Sequence, residues 1–214
     1  MGEGSRKNGW IRSAVAVALV AVVAIGAALV LTGRVVWPGG QDGKGPALAE
    51  RSELAAYARG PLRNLETPAE PSAPPDYVFR DAEGNEARFS DYEGRVVVVN
   101  LWAMWCRPCR TEMPTLAILA ERYRDTDLLV LPSNVDRTDE EIAEAREFLA
   151  VHQPLVFASD PAFELPFRFA GRGAMPQTIL IDRQGRVRAT LAGESDWASA
   201  EARALIDHLL AEEA

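Results

Sequence analysis

From residue 96 onward the apolar positions of this chain follow two alternating periods. Val96–Leu101 is a nearly unbroken, β-branched run, the pattern of a strand buried on both faces. Met113, Leu116, Ala117, Leu119, Ala120 and Tyr123 then recur at helical spacing and predict a helix over residues 107–124. Leu128–Leu131 reads as a second buried strand. Thr138 with Glu141 three residues on forms a capping box that opens a helix to about Val151. Leu155–Ala158 predicts a short strand and Asp160–Phe169 a short helical or looped piece. Thr178–Ile181 and Val187–Leu191 flank Asp182-Arg183-Gln184-Gly185, a hairpin turn, and Ser195 or Asp196 caps a last helix, Trp197–Ala211. Alternating strands and helices followed by a hairpin and a helix define an α/β fold, a central mixed sheet with helices on both faces.

The N-terminal end is apolar without a period. Ser13–Gly33, between Arg12 and Arg34, holds 21 residues without a charge, and only Ser13 and Thr32 are polar. About 20 such residues cross the ~30 Å hydrocarbon core of a bilayer, and the run lacks the polar stripe of a buried core helix. A cleaved signal peptide is the competing reading, but its apolar region is normally about 7–15 residues. The expectation is an uncleaved transmembrane anchor over 13–33. Arg6, Lys7 and Arg12 precede it and Arg34 and Lys44 follow, which predicts a cytoplasmic segment 1–12 and the rest of the chain on the far side. In a bacterium that is a single-pass inner-membrane protein with a periplasmic domain. Residues 34–75 are rich in proline and glycine and read as a tether before a domain over 76–214. Within it Ala47–Arg59 carries Leu48, Leu54, Ala55 and Ala58 at helical spacing, as either a docked or a transient helix.

Charge sharpens this division. The whole chain has a net charge of -8, yet residues 46–214 hold 18 basic and 29 acidic groups, while residues 1–45 are net positive. An acidic domain repels polyanions and excludes a nucleic-acid partner. Two cysteines exclude both a disulfide-stapled scaffold and a four-cysteine zinc module.

Those two cysteines stand together in Trp105-Cys106-Arg107-Pro108-Cys109, between the first buried strand and its helix. A helix N-terminus carries free N–H groups and about half a positive charge, which stabilise a thiolate. Cys106 is at that end and is the expected nucleophile. Cys109, three residues on, lies one turn deeper, can close a disulfide with Cys106 and can resolve a mixed disulfide. Three other readings compete. Half a zinc site lacks further cysteines, and His152 and His208 are the only histidines. A structural disulfide over so short a loop removes little chain entropy. A copper site needs more soft or imidazole ligands than His152 supplies. No metal and no cofactor is expected.

Val97–Cys109, continuing Arg110-Thr111-Glu112-Met113-Pro114, resembles the active-site segment of the thioredoxin superfamily, and more closely the membrane-anchored TlpA group of thiol–disulfide oxidoreductases. Gly173-Ala174-Met175-Pro176, followed by Thr178–Asp182, is similar to the family's cis-proline loop and next strand, and residues 125–172 to the helix and strand that this group inserts. The resemblance covers roughly residues 76–212. It implies a thioredoxin-like fold, with Cys106 as nucleophile and Cys109 as resolving thiol. Trp105 and Trp102 would lie beside and beneath them, and Pro114 would kink the active-site helix. Pro176 would face the disulfide while the backbone of Met175 pairs with a substrate strand. Arg107 and Pro108 would tune the redox poise. Asn100 departs from thioredoxin, which has a buried acid there; either water, Glu112 or Glu164 takes the proton of Cys109, or resolution is slower. The implied function is reduction of disulfides in client metalloproteins of cytochrome oxidase or cytochrome c assembly. The clients would be copper chaperones, the oxidase copper subunit or apocytochrome c, the last as in reductases of the CcmG/ResA kind. A membrane electron donor of the DsbD/CcdA kind would keep the protein reduced. A non-catalytic, tethered client-binding module is the reading from another class.

Overall fold

The computed structural model describes residues 51–212. The expected cytoplasmic segment, the anchor over 13–33 and the first part of the tether lie outside them. Among the described residues no helix is long and apolar enough to cross a membrane.

The apolar runs become strands and the periodic runs become helices, in the order β1 (Leu65–Glu66), β2 (Phe79–Arg80), β3 (Glu86–Ala87), β4 (Val96–Trp102), α1 (Arg107–Arg122), β5 (Leu128–Asn134), α2 (Asp139–Ala150), β6 (Ala158–Ser159), α3 (Leu165–Arg168), β7 (Gln177–Ile181), β8 (Val187–Ala192) and α4 (Ala200–Ala211). The eight strands form one sheet in the order β1-β8-β7-β4-β5-β6-β2-β3. Strand β4 lies at its middle, parallel to β5 and antiparallel to β7. All seven residues of β4 are buried, which explains why its sequence does not alternate.

Alternate residues of β4 feed two cores. Val96, Val98 and Trp102 join the apolar faces of α1, α2 and α4, whereas Val97, Val99 and Leu101 meet Phe79, Phe89, Leu165 and Phe169. The three longer helices therefore share one core, and the second is covered by α3, the 3-10 turn Phe89–Tyr92 and loops. The expectation of helices on both faces holds only with this imbalance.

Three boundaries differ from the sequence reading. The last helix starts at Ala200 with Ser199 as its cap, not at Trp197 with Ser195 or Asp196. Trp197 is fully buried, and its backbone N–H donates to Thr115 Oγ1 (3.2 Å), so this stretch is bonded to α1 instead of winding into α4. The sixth strand is Ala158–Ser159, shifted toward the end of the Leu155–Ala158 run; Leu155 and Phe157 are buried but unpaired with the sheet. Only the end of Asp160–Phe169 is helical.

The largest difference lies in the expected tether. The described residues form one compact unit, so residues 51–75 belong to the domain. The 3-10 turns Glu53–Tyr57 and Gly60–Leu62 bury Leu54 and Leu62 completely, β1 adds an edge strand to β8, and Ser72 bridges to Val187. The buried Arg188 of β8 clamps this segment from below: its guanidinium binds Glu53 (2.5 Å), Asp182 (3.3 Å) and Glu212. Leu54→Ala is expected to destabilise the domain by about 2–4 kcal/mol, read as a lowered urea midpoint; a loose tether would leave that midpoint unchanged.

Candidate active site

Strand β4 ends at Trp102, and the chain turns through Ala103–Trp105 into α1. Cys106 is the N-cap of α1 and Pro108 stands in its first turn, where a missing N–H costs nothing. The two sulfurs are bonded, with Cα atoms 5.3 Å apart, and Cys106 Sγ also accepts from the N–H of Cys109 (3.3 Å). Cys109 is fully buried while Cys106 keeps 5% of its surface accessible, so an incoming partner meets Cys106 first. Arg107 and Trp105 are exposed beside it, and Trp102 is buried in the same core as both cysteines. Pro114 lies inside α1.

Strand β7 places the second half of the site. Its pairing with β4 sets Gln177 opposite Leu101, which brings the preceding Met175-Pro176 to the sheet end where β4 runs into the cysteines. The Met175–Pro176 peptide is cis, and the carbonyl of Pro176 is held by the N–H of Gly193 (2.9 Å). Met175 is half-buried and packs against both cores, and among the described residues its backbone N–H and C=O have no hydrogen-bond partner.

Asn100 is bonded to a buried acid on α1. Asn100 is fully buried and donates through Nδ2 to Glu112 Oε1 (2.8 Å) and to Thr178 Oγ1 (3.0 Å). Glu112, one turn beyond Cys109, is 2% exposed. Its Oε2 accepts from the backbone N–H of Ser195 (2.9 Å) and from Trp197 Nε1 (3.3 Å). Burial pushes this carboxyl up from 4.5 to about 7, against the opposing pull of its three donors. A cleft of about 380 Å³, lined by Pro61, Thr111, Thr115 and Asp196 among others, borders Glu112. Glu164, the other carboxylate considered, is exposed beyond the sheet's opposite core and is held by Arg168 (Nε–Oε2 3.2 Å).

Sequence reading missed Asp136. This carboxylate is 1% exposed and its Oδ2 accepts from the N–H of Met104 (2.8 Å) and from Asn134 Nδ2 (2.7 Å), which fixes the turn ahead of Cys106. The signal was present as two polar residues, Asn134 and Asp136, just beyond the apolar run Leu128–Leu131.

A redox pair split between surface and interior, with an acid of near-neutral pKa one turn away, can pass two electrons to or from another disulfide. Such chemistry on such a sheet defines the class of thiol–disulfide oxidoreductases with a thioredoxin-like fold. Residues 72–190 match the AhpC/TSA family, and the chain belongs to it. It is 33% identical over 122 residues to the thiol-disulfide oxidoreductase ResA of Geobacillus thermodenitrificans, covering 57% of this chain and 68% of the relative. ResA of Bacillus subtilis is 26% identical over 132 residues, 60% of this chain and 70% of the relative. Among solved structures, a DsbE-type thiol:disulfide interchange protein of Chlorobium tepidum is 29% identical, with TM-score 0.57, covering 66% of this chain and 97% of the other. A DsbF homologue of Corynebacterium diphtheriae is 26% identical, with TM-score 0.57, covering 68% and 93%. The chain is a thiol–disulfide oxidoreductase of the ResA/DsbE type.

Glu112 also sets a pH dependence of stability. The folded carboxyl keeps its proton up to about pH 7, whereas the unfolded one releases it near 4.5, so its contribution is fully present below 4.5 and is lost as pH rises to about 7. The loss is on the order of 3 kcal/mol. Urea midpoints between pH 4.5 and 7.5 are expected to fall with pH in the wild type, and Glu112→Gln to flatten that slope.

Proposed function

We propose that this oxidoreductase works as a reductant of client metalloproteins, with Cys106 as nucleophile, Cys109 as resolving thiol and Glu112 as the proton acceptor for Cys109. The observation that carries this reading is the buried carboxyl with a pKa of about 7 one turn beyond the buried sulfur. In the reduced protein the Cys106 thiolate attacks a client disulfide; one client sulfur leaves and takes a proton, and a mixed disulfide forms. Cys109 gives its proton to Glu112 and attacks Cys106 Sγ. The second client sulfur leaves and takes that proton from Glu112, so the client departs as a dithiol and the Cys106–Cys109 disulfide remains. Two electrons from the thiols and two protons, one from solvent and one from Cys109 by way of Glu112, have passed to the client. Met175, with its open backbone, would align the client segment beside the sulfurs, as an added strand does at a sheet edge.

The likeness to ResA supports apocytochrome c as the client; the resemblance to the TlpA group adds copper-carrying proteins of cytochrome oxidase to the same chemical class. A membrane dithiol donor of the DsbD/CcdA kind would restore the reduced state. The apolar run 13–33 and its flanking charges support anchorage in a bacterial inner membrane with the domain in the periplasm.

In cells, Cys109→Ser is expected to accumulate a mixed disulfide through Cys106, and mass spectrometry to identify a haem- or copper-binding client; capture of no thiol protein would overturn the reading. Glu112→Gln is expected to slow client release from the mixed disulfide by about 10²-fold, followed by quenched-flow alkylation. In the reduced wild type, brief iodoacetamide treatment should label Cys106 before Cys109; the reverse order would exchange their roles.

A further inference from the structure

Beside the sulfurs lies an aromatic face that the reaction itself does not require. Trp105 and Phe167 are 60% and 61% exposed. Phe163 joins them: its ring centroid is 6.2 Å from Trp105 at an interplanar angle of 76°, and 5.5 Å from Phe167 at 90°. Edge-to-face rings at these separations attract and fix one another's orientation.

The backbone is bent to keep them there. Phe163 has φ 57°, a left-handed conformation that a bulky side chain adopts only when its surroundings impose it. Asp160, 1% exposed, imposes it: its carbonyl accepts from the N–H of Phe163 (3.0 Å), and its Oδ2 from the N–H groups of Glu164 (2.8 Å) and Leu165 (2.7 Å). Tyr77 secures the other oxygen through its hydroxyl (2.6 Å). Gly173 seats the third ring. A Cβ there would stand 2.5 Å from Phe167 Cε1, so the ring lies against bare backbone two residues before Met175. The aromatic face and the cis-proline loop are thus one packed surface.

Its rim is cationic within an acidic domain. Arg107 and Arg110 in the first turns of α1, and Arg172 in the loop ahead of Pro176, are exposed and form no ion pair among the described residues. Trp105 is bonded directly to Cys106, so this surface borders that sulfur.

We propose that Trp105, Phe163 and Phe167 dock the client segment next to its disulfide, and that this segment carries an aromatic or large aliphatic side chain flanked by carboxylates. Rigid rings take up the apolar side chain at little cost in rotamer freedom, and Arg107, Arg110 and Arg172 attract the acids. The inference rests on the oxidoreductase reading and specifies the clients it selects.

Three synthetic peptides sharing one disulfide-closed Cys-Ala-Ala-Cys loop test it, flanked respectively by Trp and Glu, by Trp and Lys, and by Ala and Glu. The readout is the single-turnover rate constant for reduction by the pre-reduced full-length protein. The Trp/Glu peptide is expected to react about tenfold faster than either of the others. Phe167→Ala should erase the Trp-over-Ala preference, Phe167→Trp should keep it, and Arg172→Glu should erase or invert the Glu-over-Lys preference. Equal wild-type rates on all three peptides would overturn the docking surface while leaving the oxidoreductase standing. So would a Phe167→Ala loss equal on all three, or self-association on sedimentation that Phe167→Ala abolishes without any change of preference. Reduction of none of the peptides would overturn both.

Discussion

One carboxyl group, Glu112, holds the working end of this domain together. It is buried on the active-site helix, and its two oxygens take bonds from the central strand through Asn100 and from the lead-in to α4 through Ser195 and Trp197. A buried acid is costly without partners and strongly constraining with them, because each donor would be orphaned if it moved. The chain places three such donors around it, which fixes the position of α1 relative to β4 and hence of Cys109 relative to the core. The same burial that makes the contact structural lifts the proton affinity into the neutral range, where it is useful to a thiol. Structure and proton affinity meet in one side chain, and its burial brings a stability that declines toward neutral pH.

The parts of the fold with a strong period were legible from sequence. Val96–Leu101 read as a strand buried on both faces and is the body of β4, and Thr138 with Glu141 marked the start of α2 as the capping box found there. The site followed because both cysteines, the helix start and the proline loop are close to these elements in sequence. What escaped depended on contacts between distant residues. Nothing local in Asp196-Trp197-Ala198 says that Trp197 bonds to α1 and delays α4. Glu112 and Glu164 look alike in sequence; only the packing of α1 against β4 and of α3 at the surface separates a buried acid from a solvated one.

The supposed tether teaches the same lesson from composition. Prolines at 61, 68, 71, 74 and 75 suggested an extended linker. They do stop helix and sheet from propagating, but Leu54, Leu62 and Leu65 between them are core residues, and Arg188 needs Glu53 to complete its set of carboxylates. Proline here sets the path of a strap across the sheet instead of freeing it. The buried guanidinium shared among Glu53, Asp182 and Glu212 joins the strap, the β7–β8 turn and the end of α4 in one network.

The two outermost strands, β1 and β3, are each two residues long. A long exposed edge is a template for any extended chain that drifts past, and natural sheets shorten their edges to avoid aggregation. The hazard is acute for an oxidoreductase whose work brings other protein chains against it. Its broad sheet gives such partners almost no rim to grip, while the open amide and carbonyl of Met175 stand at the sulfurs. Sticking is thereby confined to the place where a bound partner can exchange its thiols and be let go.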